Sequence, residues 1–242
     1  MADTDRAMAE LGIYGANYKI AIVMVMFIQA FRFAYEPFVF AKSRSRGEDA
    51  TKAYVDAMHY FIIFSLLIFL GVMFYLPVLK YFIAPAYFSG LAVVPVVMAG
   101  ELFFGIFYNL SLWYKLTDRT QWGTWLSLLG LAVTLAVNIA FVPRFGYMAC
   151  AWAAFCCYFT MMTVSYLLGR KYYPVPYKTG AALRYVVLAA ALYAIGSLLP
   201  DRSTVGLLAA RTGLLAVFIA YAIHRDIALA DLPLLGKYFR KK

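Results

Sequence analysis

Charge is what this 242-residue chain has least of: Asp, Glu, Lys and Arg together make up 14% of it, and only 12 residues are acidic. Histidines number two, cysteines three, and no extended polar segment separates the apolar ones. Each scarcity excludes something. The few carboxylates are scattered, so no two-carboxylate or metal-assisted catalytic constellation can be assembled from neighbouring positions. No Walker loop, His-Glu-x-x-His or Gly-x-Ser-x-Gly pattern occurs either. Cys150, Cys156 and Cys157 are odd in number, lack Cys-x-x-Cys spacing and have no His or carboxylate beside them. That argues against a disulfide framework and a zinc site, and leaves them as small, soft core residues. Neither an enzyme nor a bound cofactor or metal is expected.

Apolar length is what the chain has instead. Hydrophobic residues make up 64% of it and the mean hydropathy is +0.75, too apolar for a water-soluble fold of this size to cover its surface. Seven stretches carry this character: Gly12–Phe40, Tyr54–Leu79, Leu91–Tyr114, Trp122–Val142, Tyr147–Leu168, Gly180–Leu199 and Ser203–Ile223. Each is apolar on all sides and about 20 residues or longer, the signature of a membrane-spanning helix. Alternation at period two is absent, which argues against a transmembrane barrel. The expected fold is therefore an all-α membrane protein, a bundle of seven transmembrane helices whose backbone groups are satisfied internally.

Basic residues set the expected orientation. Of 22 Lys and Arg, 15 fall on one side, within Lys42–Lys52, Lys115–Arg119, Arg170–Arg184 and Arg225–Lys242. The other side holds Arg6, Lys80, Arg144 and Arg202, and Lys19, Arg32 and Arg211 fall inside spans. The richer side belongs in the cytoplasm, with the C-terminus, and the N-terminus belongs outside. The net charge of +10 thus reads as topology rather than nucleic-acid affinity. The Lys237–Lys242 tail reads as an inside anchor that could also lean on anionic lipid. Trp113, Trp122, Trp125, Tyr172, Tyr173 and Tyr177 gather at the expected interfaces, where amphipathic rings prefer to sit. Residues 1–11 form a polar external segment with no export signal of their own, which implies an upstream helix. Residues 12–168 then form a five-helix portion, 169–224 two further helices, and 225–242 a basic cytoplasmic tail.

Polar residues inside the spans need a reason, because an ionisable group in hydrocarbon costs roughly 2.5–3.5 kcal/mol. Gln29, Arg32 and Glu36 share one face of the first span, and Arg32 and Glu36 are spaced to pair. They read either as a cavity wall or as a self-neutralised pair joining two helices. Pro37 follows and frees a carbonyl one turn back. Lys19, nearer the outer end, could bind a ligand or simply reach the interface. Glu101, Gly105, Tyr108 and Asn109 share a face of the third span. Mid-depth Glu101 suits a proton relay, a cation site or a hydrogen bond to a neighbouring helix. Ser127, Thr134 and Asn138 read as interhelical contacts. Arg211 needs a partner from another helix or bordering water, and His59, after Asp56, reads as interfacial.

Several motifs resemble a known family. The run Ala84–Pro95, with Pro85, Tyr87 and Pro95, is similar to the outer loop and helix start of oligosaccharide flippases. These belong to the multidrug/oligosaccharidyl-lipid/polysaccharide exporter superfamily. The turn Lys115–Thr120, the hairpin with Asn138, Pro143 and Gly146, and the helix start Leu11–Lys19 with Gly12, Tyr14 and Lys19 resemble its other landmarks in the same order. Pro37 matches a proline near that helix's inner end, and the likeness covers about residues 11–170. The resemblance implies the second lobe, helices eight to fourteen, of a fourteen-helix exporter in a bacterial inner membrane, a C-terminal part that needs a first lobe missing from this sequence. It implies flipping of a polyprenyl-diphosphate-linked oligosaccharide to the outer leaflet by alternating access. Arg32, supported by Lys19, Arg211, Gln29 and Asn109, would then meet the diphosphate, and Glu101 or Glu36 would take a coupling cation. The implied partners are the bilayer and the lipid-linked oligosaccharide, not nucleic acid. A small-solute exporter of the same superfamily, a non-transporting scaffold and a multispan enzyme of glycan assembly are the rival readings. The last would need a long loop rich in acids or His, which the chain lacks.

Overall fold

The structure, a computed structural model, describes residues 2–43, 48–199 and 204–226. Arg44, Arg46, Arg202 and the Lys237–Lys242 tail lie outside the described residues. Eight α-helices follow one another: α1 (Ala2–Ser43), α2 (Glu48–Leu79), α3 (Val93–Leu110), α4 (Leu112–Leu116), α5 (Gln121–Phe145), α6 (Tyr147–Tyr172), α7 (Thr179–Leu198) and α8 (Thr204–Arg225). No strand occurs among the described residues. Ser111 separates α3 from α4, which together make one crossing, Val93–Leu116, so seven helices are long and apolar enough to span a membrane. The protein is an all-helical, multi-pass membrane protein.

The helices outrun the apolar stretches at several ends. The polar segment expected as an external loop is helical from Ala2. Its Ala, Met, Arg, Glu and Leu residues favour helix, Asp5 near the start complements the dipole, and Arg6 bridges to Glu10 at 3.3 Å one turn on. Pro37 does not end α1, which continues to Ser43. Pro143 likewise lies inside α5. The reversal into α6 is made by Gly146 at φ +55°, a conformation that a side chain would strain.

Helix α2 occupies the centre, packed against α1 and α3 on one side and α7 and α8 on the other. Helix α6 packs against α3 and α5, leaving α5 at the bundle's edge. The buried side chains of α2, including Phe61, Leu70 and Phe74, form the main core with Met24 of α1, Met98 of α3 and Phe218 of α8. The edge helix exposes Leu131, Leu135 and Ile139, an apolar stripe that would be a liability in water and suits hydrocarbon. Cys157 is buried against Met161 of the same helix, as expected of a core residue.

Two motifs that lie far apart in sequence meet at one end. The 3-10 segment Pro85–Gly90 packs on the start of α1, and Asn17 donates its amide to the Tyr87 carbonyl at 2.8 Å. Lys80, Arg144 and Arg6 lie towards this end. The opposite end gathers Lys52, Lys115, Arg119, Arg170, Lys171, Lys178 and Arg225, at or beside the cytoplasm-facing helix termini expected from charge. There the rings also cluster: Trp113 stacks on Tyr172 with centroids 5.7 Å apart, and Arg119 lies 4.5 Å from the Tyr172 centroid.

Candidate functional site

Arg32 is the cation that the packing leaves least compensated. It projects from α1 next to α3, half-buried, with its guanidinium carbon 5.1 Å from the Tyr108 centroid and 5.5 Å from that of Phe33. An aromatic face offers a cation partial compensation at low desolvation cost. Its Nε is buried with no hydrogen-bond partner. The expected bridge to Glu36 does not form. Glu36 accepts from Lys115 Nζ of α4 at 2.7 Å, and among the described residues no carboxylate lies within ion-pair distance of Arg32. The packing of α1 on α3 and α4 supplies a closer cation than the helix's own next turn.

A small cavity of about 10 Å³ sits where these groups converge, bounded by Arg32, Glu36, Phe61, Tyr108, Asn109 and Lys115. It has room for about one water molecule. Asn109 donates to the Gly105 carbonyl at 3.0 Å, leaving its Oδ1 buried and unpartnered. Gly105 permits this closeness, because a Cβ there would run into the Phe61 ring. Chemically the cluster offers a fork-shaped cation suited to paired phosphate oxygens and a Lys–Glu pair at the same end. No group of His, Cys, Asp and Glu fit for a metal occurs among the described residues.

The remaining candidates are dispersed. Gln29, half-buried, lies one turn from Arg32 on α1. Lys19 is exposed and roughly 20 Å away along the same helix. Glu101 is buried but accepts from the Tyr18 hydroxyl at 3.1 Å, about 12 Å along α3 from Asn109. Arg211 does not join the site. Its Nε donates to the Gly196 carbonyl at 3.2 Å and its Nη1 to the Phe74 carbonyl at 3.3 Å. Gly196 is in the last turn of α7, where carbonyls lack intrahelical donors, and Phe74 lies within α2, three residues before Pro77. Arg211 therefore ties α2, α7 and α8 together.

Ser127 and Thr134 donate to the carbonyls of Gly123 and Gly130 on their own helix, so these hydroxyl bonds do not join helices. His59 is 4% exposed. Its Nε2 stands 3.2 Å from Asp226 Oδ1, off the line of an aligned hydrogen bond, while Tyr185 donates to Oδ2 at 2.6 Å. Burial alone would push the Asp226 carboxyl up, but the Tyr185 hydroxyl and His59 outweigh it and hold it below the usual carboxylate range. Sequence reading missed three partners: Tyr108 beneath Arg32, Lys115 on Glu36, and Asp226 on His59. Only the shared face of Gly105, Tyr108 and Asn109 signalled any of them.

No protein-family model, curated protein or solved structure matches this chain. What stands on the described residues is a multi-pass helical membrane protein with an uncompensated arginine set against an aromatic ring between α1 and α3.

Proposed function

We propose that this chain is the cation-bearing lobe of a membrane transporter that moves an anionic, lipid-linked oligosaccharide from the cytoplasmic to the outer leaflet of a bacterial inner membrane. Arg32 carries the reading. A half-buried guanidinium within a span, with no carboxylate in ion-pair distance among the described residues and a buried Nε that has no hydrogen-bond partner, offers charge to a ligand, and a charge there left unused would be selected against by its cost. The order of flippase-like motifs supports the same reading, as does the meeting of two of them where Asn17 holds Tyr87. In this reading Arg32 receives the diphosphate, Tyr108 fixes the guanidinium plane, and Asn109 and Gln29 bind neighbouring oxygens or sugar hydroxyls. Lys115, released from Glu36, adds a second cation as the substrate enters. Movement then follows from rocking against a second lobe about this site.

The test is translocation by the native protein with its partner lobe, read as build-up of lipid-linked oligosaccharide in the cytoplasmic leaflet. Loss of a charge-assisted contact of about 1.5–3 kcal/mol lowers flux about ten- to a hundredfold in Arg32→Gln. Arg32→Lys keeps the charge without the fork and falls between. Undiminished flux in Arg32→Gln at equal membrane abundance overturns the proposal.

A further inference from the structure

A second cavity lies across α3 from Arg32 and is of a different kind. It measures about 330 Å³ and opens between α2, α3, α6 and α7, walled by Ile62, Phe103, Ile106, Met162, Ala182 and Val186. Leu102, Phe103, Ile106 and Leu110 give it one side of α3, whereas Gly105, Tyr108 and Asn109 face the Arg32 cavity. At its cytoplasm-directed end it shares Val55 and Lys178 with a hollow of about 420 Å³ bounded by Lys52, Asp56 and Pro176. Lys178 donates to Asp56 at 2.8 Å, and Lys52 is exposed. Arg170 stands close by, over Tyr166, a ring that also lines the apolar cavity. The hollow's lining thus carries two cations, Lys52 and Lys178, and one carboxylate, Asp56, while Asp226 is engaged by His59 and Tyr185.

One buried polar atom also bears on an occupant. The His59 ring lines the apolar cavity, and its Nδ1 is enclosed without a hydrogen-bond partner. An apolar pocket with His59 in its wall and an adjoining hollow that carries Lys52 and Lys178 form a graded site: chain, ester, phosphate. Pockets of this volume hold a ligand of acyl-chain size, and basic residues at the cytoplasmic surface attract anionic headgroups.

We infer that this cavity binds one anionic glycerophospholipid from the cytoplasmic leaflet. One acyl chain lies among Ile62, Phe103, Ile106 and Val186, the ester region lies near His59, and the phosphate is held by Lys52 and Lys178. Binding opens the Lys178–Asp56 bridge. The inference concerns bulk lipid on the far side of α3 and does not depend on the Arg32 reading.

Native mass spectrometry tests it, using the full chain purified in detergent with equal amounts of phosphatidylglycerol and phosphatidylcholine of identical acyl chains. The expected result is one retained phosphatidylglycerol in preference to phosphatidylcholine. Lys52→Gln and Lys178→Gln each reduce that preference about fivefold. Asp56→Asn increases it, opposite to what loss of a merely structural bridge would do. Ala182→Phe and Ile106→Trp fill the cavity and expel both lipids. Should those two variants fail to fold, the exposed-residue variants decide alone. Equal retention of the two lipids, an unchanged preference in both Lys52→Gln and Lys178→Gln, or retention of no lipid overturns the inference.

Discussion

Gly105→Ala adds one methyl group at the crossing of α1, α2 and α3, and the surroundings determine its cost. The new Cβ would overlap the tip of the Phe61 ring and lie 3.1 Å from Ile28 Cγ1. Phe61 cannot withdraw easily. It is fully buried, with Phe27 stacked at 5.7 Å and Phe31 at 4.9 Å between centroids. Overpacking of a well-filled core costs about 1–3 kcal/mol, and alanine's better helix propensity returns about 0.5–1 kcal/mol. The net expectation is a loss of about 1–2 kcal/mol. Gly71→Ala on α2 is the control, because nothing lies within 4 Å of its Cβ position. That variant should gain about 0.5–1 kcal/mol. Thermal unfolding of the purified protein in detergent reads both. Phe61→Leu combined with Gly105→Ala should recover at least about 1 kcal/mol relative to the sum of the single changes. A Gly105→Ala shift in the same direction as Gly71→Ala, with no coupling to Phe61, would refute the packing argument.

Two other perturbations have equally definite outcomes. The Asp226 carboxyl is held below its ordinary value, so its contribution is complete above the unfolded value of about 3.9 and is lost as pH falls through the lower folded value. Unfolding temperatures of the wild type should therefore exceed those of Asp226→Asn above about pH 5 and converge with them below that window; a gap that stays constant down to pH 3 contradicts the reasoning. Arg211→Lys keeps the charge but cannot reach the Gly196 and Phe74 carbonyls together. It should lower stability by about 1 kcal/mol, and unaltered unfolding would remove Arg211 from the α2–α7–α8 junction.

The seven crossings were legible because length and all-round apolarity belong to each segment alone, and the structure turns each stretch into one crossing, the third of them broken at Ser111. Helix ends were less legible. Residues 2–11 are polar enough to read as a loop, yet their helix-forming side chains continue α1 through them. The site was legible only as faces. Gly105, Tyr108 and Asn109 share one side of α3 by periodicity, and the packing against α1 confirms that side. Which cation meets which carboxylate was not legible. Spacing on an isolated helix offers Arg32 to Glu36, whereas tertiary packing brings Lys115 from 79 residues away. Arg211 defeated sequence reading differently, because its acceptors are backbone carbonyls of two other helices, and carbonyls carry no residue-type signal. Ser127 and Thr134 found acceptors on their own helix for the same reason.

We propose, from the charge pattern, that the seven crossings leave the lysine- and arginine-rich end in the cytoplasm. Helix α3 with α4 separates two short connections, and each has a fully accessible position: Phe82 is 83% exposed on one side and Thr120 is exposed on the other. With Cys150, Cys156 and Cys157 replaced by alanine, Phe82→Cys and Thr120→Cys can be labelled with a membrane-impermeant maleimide in intact cells. Labelling of Phe82→Cys from outside, and of Thr120→Cys only after permeabilisation, is the predicted result. Labelling of both from the same side, or of Thr120→Cys alone in intact cells, would contradict it.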